Sequence, residues 1–164
     1  MHWELNEFVA ADAEAINQVA SAAFLQYREH YQEWEQFSRR LGCMDALAAS
    51  AEIVVGRIDG RVAGAVAYVA PGMPRASFFT PEWAVLRMLV VEPASRGLGL
   101  GRALTLECLR RAERDGAALI ALHTSPIMQV ALAMYYRLGF EFVRSVPPIH
   151  GVPYGIYCKR LGQR

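Results

Sequence analysis

The sequence predicts an α/β chain built on a mixed central sheet with helices on both faces. Three observations carry that prediction. Ile53–Ile58 and Arg61–Val69 are β-rich runs joined by Asp59-Gly60, a link that favours a tight antiparallel hairpin. Trp83–Val91, apolar on nearly every residue, leads through a glycine-rich turn and an amphipathic stretch to Ala118–His123, also apolar. Strand, helix and strand of that length form a crossover whose two strands lie parallel and covered on both faces. Two helical patterns precede the hairpin and two strand patterns close the chain, which implies a mixed rather than a uniform sheet.

Taken in order, Trp3–Val9 reads as a first strand with Trp3, Leu5 and Phe8 toward a core. Asp12 then caps a helix whose apolar positions are Ile16, Val19, Ala20, Ala23, Phe24 and Tyr27. A second amphipathic helix carries Tyr31, Trp34, Phe37, Leu41 and Met44, with Glu33, Glu35, Arg39 and Arg40 on its other faces. Aromatics recurring at helical spacing read as core. Beyond the hairpin, Pro71–Pro81 reads as a loop, punctuated by Pro71, Gly72, Pro74 and Pro81. The helix after the glycine turn runs over Leu100–Asp115, with Gly116 as its stop. Ser125-Pro126 opens a further helix, a side-chain cap followed by proline, with the stripe Ile127, Val130, Ala131, Met134 and Leu138 up to Gly139. Phe140–Arg144 is a strand, Pro147-Pro148 break the chain, and Tyr154–Lys159 is the last strand.

At 164 residues, 54% hydrophobic and 20% charged, the chain suits one enzyme-like domain over residues 1–164. A net charge of +1 removes the electrostatic case for nucleic acid. Cys43, Cys108 and Cys158 lie far apart, so neither a disulfide framework nor a metal site is expected. Met1–Leu5 lacks the basic start and apolar run of a signal peptide, and no apolar stretch approaches a membrane span. The expected compartment is the cytoplasm, with no membrane partner.

The chemistry centres on Arg96-Gly97-Leu98-Gly99-Leu100-Gly101. Alternating glycines let the backbone turn tightly and aim successive N–H groups at one place. The helix behind them adds its free N–H groups and the positive end of its dipole. With Arg96 as counter-charge, this is a phosphate-binding device made largely of backbone. The dinucleotide fingerprint would need glycine where Arg102 stands, and the P-loop run is absent.

What remains, an R-x-x-G-x-G run through Arg96, Gly99 and Gly101, resembles the acetyl-CoA pyrophosphate loop of the GNAT superfamily of N-acetyltransferases. Leu89-Val90-Val91-Glu92-Pro93 resembles the family's strand whose backbone takes the pantetheine arm as an added strand. Tyr135-Tyr136-Arg137-Leu138-Gly139-Phe140 resembles the Y-x-x-L-G-F run that closes the family's fourth helix. The likeness covers essentially the whole chain and is most specific from Leu86 to Phe142. It implies a GNAT-like acyl-CoA N-acyltransferase fold, acetyl-CoA as co-substrate and no metal. The cofactor contacts it implies are Leu89, Val90, Val91, Arg96, Gly97, Leu98, Gly99, Leu100, Gly101, Arg102, Ser125 and Tyr135. Met128 stands where the family often has asparagine, so Ser125 or Thr124 is expected to supply that polar contact.

The implied reaction moves an acetyl group to a primary amine of a small molecule, peptide or protein by direct attack in a ternary complex. It needs a route for the ammonium proton, a donor for the developing oxyanion and a proton for the leaving sulfur. The resemblance assigns the last role to Tyr135, while Tyr136 reads as structural. Backbone N–H groups of Leu89–Val91 are the expected oxyanion donors. For the base, Glu82 at the start of the central strand is the candidate side chain, with His150 and water as alternatives. His123, ending a buried strand, reads as structural. A non-catalytic acyl-CoA-binding module is the competing reading, since fold alone does not establish turnover. A homodimer, common in the family, is a further implied partner that no residue here specifies.

Overall fold

The computed structural model describes residues 2–162. Its strands are β1 Trp3–Glu7, β2 Glu52–Ile58, β3 Arg61–Val69, β4 Ala84–Val91, β5 Leu119–Thr124, β6 Glu141–Ile149 and β7 Val152–Arg160. They form one sheet in the order β1-β2-β3-β4-β5-β7-β6. All neighbours are antiparallel except β4 and β5, the crossover pair. Four α-helices accompany them: α1 Ala13–Phe24, α2 Trp34–Leu41, α3 Leu100–Arg114 and α4 Gln129–Arg137. The expected mixed sheet with helices on both faces is therefore present.

Period-two alternation of the strands divides the core. Val54, Val66, Leu86, Ile120 and Leu122 meet Leu104 and Cys108 of α3 and Tyr135 of α4 on one face. On the other face Val55, Ala65, Ala67 and Val90 meet Ile16, Val19, Ala20 and Ala23 of α1. Each fully buried Ile or Val on these faces contributes roughly 1.5–3 kcal/mol, which helix propensity alone would not supply. In the hairpin between β2 and β3, Asp59 and Gly60 both take positive φ, 49° and 82°, as a two-residue mirror-image turn requires.

Several local expectations change. Asp12 does not cap α1: its carboxylate accepts from the Val9 N–H at 3.2 Å and pairs with Arg57 at 2.8 Å. α1 ends at Phe24, and Tyr27 falls in a 3-10 turn over Leu25–His30. The second helix is shorter than its aromatic pattern, starting at Trp34 behind the left-handed Glu33, while Met44 opens a separate 3-10 turn. α4 starts at Gln129, not at Ser125-Pro126. There the Ser125 hydroxyl accepts from the Ile127 N–H at 3.3 Å, which shapes a turn ahead of the helix.

Val130, placed on the apolar stripe by spacing, is 82% exposed, because α4 is rotated so that Tyr135 turns inward. Pro147-Pro148 do not break the chain: β6 runs through them with a register shift between Val146 and Ile149. β6 is the sheet's edge strand, where proline's missing N–H costs no ladder bond. Among the described residues, no helix is long and apolar enough to cross a membrane.

Candidate functional site

The site is made by two irregularities in the middle of the sheet. The parallel pair β4 and β5 is joined only at Ala84–Ile120 and Val85–Ala121. Beyond that point the strands part. On its other side, β4 bulges against β3: Ala67 pairs with Arg87 and Ala65 with Val90, so Met88 and Leu89 together oppose Val66. Met88 takes φ 57°, a conformation that non-glycine residues rarely adopt and that bulges next to functional sites often hold. The bulge turns the Leu89 backbone out of the regular ladder toward the parting of the strands.

The glycine loop opens beside this gap. Gly97 and Gly99 have φ of 80° and 85°, and a Cβ at either would meet nothing within 4 Å. The first helical bond of α3 runs from the Ala103 N–H to the Gly99 carbonyl at 3.0 Å. The N–H groups of Leu100, Gly101 and Arg102 therefore stand outside the helix ladder. α3 is seated by a second pair of glycines. Gly56 of β2 and Gly64 of β3 sit opposite each other under the fully buried Leu100 side chain. A Cβ on Gly56 would stand 2.7 Å from Leu100 Cδ1, and one on Gly64 would stand 2.9 Å from the Val90 carbonyl oxygen.

A cavity of about 420 Å³ joins the loop to Leu89 and Val91 of β4, past the point where β4 leaves β5. Its walls are Phe24 at the end of α1 and Tyr27 just after it, Leu89 and Val91 of β4, residues of the loop from Ser95 to Arg102, and Met128, Ala131, Met134 and Arg137 of or just before α4. Three cations, Arg96, Arg102 and Arg137, line it, and no carboxylate does. Arg96 also donates to the Ala23 carbonyl at 3.0 Å, tying the end of α1 to the loop. Burial raises the Tyr27 phenol, with the neighbouring Arg96 cation opposing the rise. A broader hollow of about 740 Å³ between α1 and α2 shares no residue with the loop.

The structure brings together on this cavity Leu89, Val91, Arg96, Gly97, Gly99, Leu100, Gly101 and Arg102 among the expected contacts. Leu98 is half-exposed on the loop and Val90 points to the opposite, α1 face, as strand alternation demands. Ser125 is fully buried in its turn, and Thr124 directs its hydroxyl to the Met128 sulfur at 3.5 Å. Tyr135 is 4% exposed behind the cavity wall, its ring 5.6 Å from that of Phe140. Burial, reinforced by Cys108, pushes its phenol far up and keeps it protonated.

Glu82 stands apart. It is exposed in the turn before β4, and about 17 Å of strand separates its neighbour Ala84 from Leu89. A base at Glu82 would be remote from the gap. His150, in the β6–β7 turn, lies against α2 instead, its ring 5.5 Å from Phe37 and its Nδ1 3.7 Å from Glu33. Sequence reasoning missed Arg137, Tyr27 and Phe24 as cavity residues. Arg137 stood inside the Y-x-x-L-G-F run, where only the two tyrosines were given roles. Tyr27 and Phe24 read as core because they continue the α1 stripe. Among the described residues, no three His, Cys, Asp or Glu side chains are placed to hold a metal.

Comparison with known proteins fits this geometry. The model of the acetyltransferase (GNAT) family matches residues 13–140. The chain superposes on the PaiA N-acetyltransferase of Thermoplasma acidophilum in complex with coenzyme A at a TM-score of 0.79, with 19% identity over 98% of this chain and 99% of that one. It also superposes on a GNAT-family acetyltransferase of Brucella melitensis in complex with acetyl-CoA at 0.67, with 26% identity over 99% and 90%. A mycothiol acetyltransferase of Amycolatopsis mediterranei is 48% identical over 50 residues, 30% of this chain and 17% of that protein. A second, from Saccharomonospora viridis, is 40% identical over 55 residues, 34% of this chain and 18% of that protein. The chain thus spans less than a fifth of the length of these curated relatives.

Proposed function

The chain belongs to the acetyltransferase (GNAT) family, and from that premise we propose that it transfers the acetyl group of acetyl-CoA to a primary amine. The observation that carries this reading is the meeting on one cavity of the glycine cradle with Leu89 and Val91 of β4, past the point where β4 leaves β5. The donor set fits the co-substrate. Free N–H groups at the start of α3, with Arg96, Arg102 and Arg137, suit a pyrophosphate and a further phosphate. The apolar wall of Leu89, Val91, Ala131 and Met134 suits the arm that follows, and the open edge of β4 offers it backbone hydrogen bonds.

When bound, acetyl-CoA supplies a thioester carbonyl as the acyl donor. Across the reaction a bond forms between the amine nitrogen and the acyl carbon, and the carbon–sulfur bond breaks. The proton shed by the nitrogen passes to water, and the departing sulfur receives one. In this reading the backbone N–H groups at the Leu89 bulge face the carbonyl oxygen as it gains charge. Tyr135, buried behind the wall that Ala131 and Met134 of the same helix make, is in this reading the proton donor to the sulfur. Water accepts the ammonium proton, because Glu82 lies at the far end of β4.

Free thiol release, measured with acetyl-CoA and a panel of amines, tests the proposal. Turnover with one acceptor class is expected. Tyr135→Phe should lower kcat by about 10²-fold, with acetyl-CoA affinity close to that of the parent protein. An unchanged kcat removes Tyr135 from the mechanism. Tight acetyl-CoA binding with no turnover on any amine would leave an acyl-CoA-binding module instead.

A further inference from the structure

The cavity has a polar end and an apolar one. The polar end is the glycine loop with its arginines. The apolar end is the rim of a packed cluster around Tyr31 and Phe37, which lends the cavity wall Phe24, Tyr27 and Met128. Met128 belongs to the apolar end on a second count. It packs in the same cluster as Met88, which shares the β4 bulge with Leu89. Arg137 closes α4 nine residues on, so the helix holds that cation about 13 Å from Met128 along its axis.

Methionine is ordinarily the adaptable side chain of an apolar wall. Here it is held. The Met128 N–H donates to the Ser125 carbonyl at 3.0 Å, and its own carbonyl accepts from the Leu132 N–H at 2.9 Å. The Thr124 hydroxyl, at the end of β5, donates to the Met128 sulfur at 3.5 Å, and both residues are buried. Main chain and sulfur are thus both fixed where the side chain meets the cavity.

We propose that Met128 limits the length of the transferred acyl group, closing the cavity just beyond an acetyl group and excluding longer chains. The proposal rests on the acetyl-transfer reading, in which the N–H groups at the Leu89 bulge face the thioester carbonyl. That carbonyl carbon also bears the sulfur and the alkyl group. The sulfur leads back along the arm toward the glycine loop, so the alkyl group points the other way, to the end that Met128 walls. Truncating Met128 to alanine removes three heavy atoms there, and a butyryl group adds two to an acetyl. An apolar pocket distinguishes chains that differ by one methylene by roughly 10–200-fold, which is the discrimination a fixed methionine can supply.

The test offers one amine acceptor with acetyl-CoA, propionyl-CoA or butyryl-CoA. The parent protein should favour acetyl over butyryl by at least about tenfold in kcat/KM, with propionyl between them. Met128→Ala should cut that preference at least about tenfold, while Met128→Leu, which keeps the bulk of the wall, should retain most of it. Thr124→Val keeps the shape of its side chain but frees the sulfur, and should relax the preference in part. It carries the comparison if Met128→Ala fails to fold. A parent protein that uses butyryl-CoA as well as acetyl-CoA, or a preference indifferent to these substitutions, overturns the proposal. A change confined to the KM of the amine also overturns it, and would place Met128 at the acceptor instead.

Failure of the acetyl-transfer reading would show differently, as acetyl-CoA bound with no turnover on any amine. Direct titration with acetyl-CoA and butyryl-CoA then decides the matter. A Kd ratio of at least about tenfold in favour of acetyl-CoA, lost in Met128→Ala, sustains the proposal, and a ratio indifferent to Met128 ends it.

Discussion

His123 shows how far position overrides residue type. An unperturbed histidine titrates near 6.5, but burial between β5 and the rings of Phe78, Phe79 and Tyr154, with Arg87 opposite, pushes it down to about 4. It is therefore neutral near pH 7. The sign for stability follows. Between about 6.5 and 4 the unfolded chain binds the proton and the folded one does not, so stability is fully present above 6.5 and falls as pH drops toward 4. The loss should be about 2–3 kcal/mol by pH 4.5, where aspartates and glutamates also begin to protonate, so the histidine's share is read from the variant. Urea unfolding at pH 7.5 and 4.5 measures it. His123→Gln should flatten the slope in that window, and an equal slope in the variant would assign the loss to other groups. The sequence-based view of His123 as a satisfied structural residue missed its place at the gap, because no local pattern reports which residue lies across a parting pair of strands.

At the scale of elements, the site depends on α3 coming close to the sheet. Leu100 is both the first residue of α3 and the side chain that fills the space over the Gly56–Gly64 pair. The two glycines are not equivalent. The atom a Gly56 Cβ would meet is the end of the Leu100 side chain, which can rotate away, whereas the atom facing a Gly64 Cβ is the Val90 carbonyl oxygen of β4. Gly64→Ala must therefore move backbone, and next to the bulge at that. We expect it to lower stability by about 2 kcal/mol and to weaken acetyl-CoA binding, with Gly56→Ala milder on both counts. Denaturant midpoints and acetyl-CoA titration check this. Equal effects of the two substitutions would mean that β4 can shift freely, and the site would not depend on its fixed register.

The hairpin, the crossover and the glycine loop were legible because each is written in contiguous residues with a known period or turn chemistry. The β4 bulge was not, since Met88-Leu89 look like any two residues of an apolar strand. The Pro147-Pro148 break was misread for a related reason: proline forbids a central strand but not an edge, and only the completed sheet says which strand is at the edge.

For the whole molecule, composition concealed the site. A formal net charge of +1 gave no electrostatic case for a polyanionic partner. The fold, however, places the charges unevenly. Glu7, Glu52 and Glu107 converge on the buried Arg111, Asp12 pairs with Arg57 and Glu92 with Arg61. Those carboxylates are held away from the cavity, where Arg96, Arg102 and Arg137 meet no acid. A polyanionic co-substrate that binds only the folded chain must then stabilise it by mass action. At a concentration one hundred times Kd the gain is about 2.7 kcal/mol, which for a chain of this size corresponds to a rise in Tm of roughly 5–10 °C. Thermal unfolding with and without acetyl-CoA reads this directly, and added salt should shrink the shift, because phosphate–arginine attraction is screened. Gly99→Asp places a carboxylate and a strained backbone in the cradle, so its Tm should no longer respond to acetyl-CoA. A Tm that rises equally in both proteins would put the co-substrate somewhere other than the α3 N-terminus.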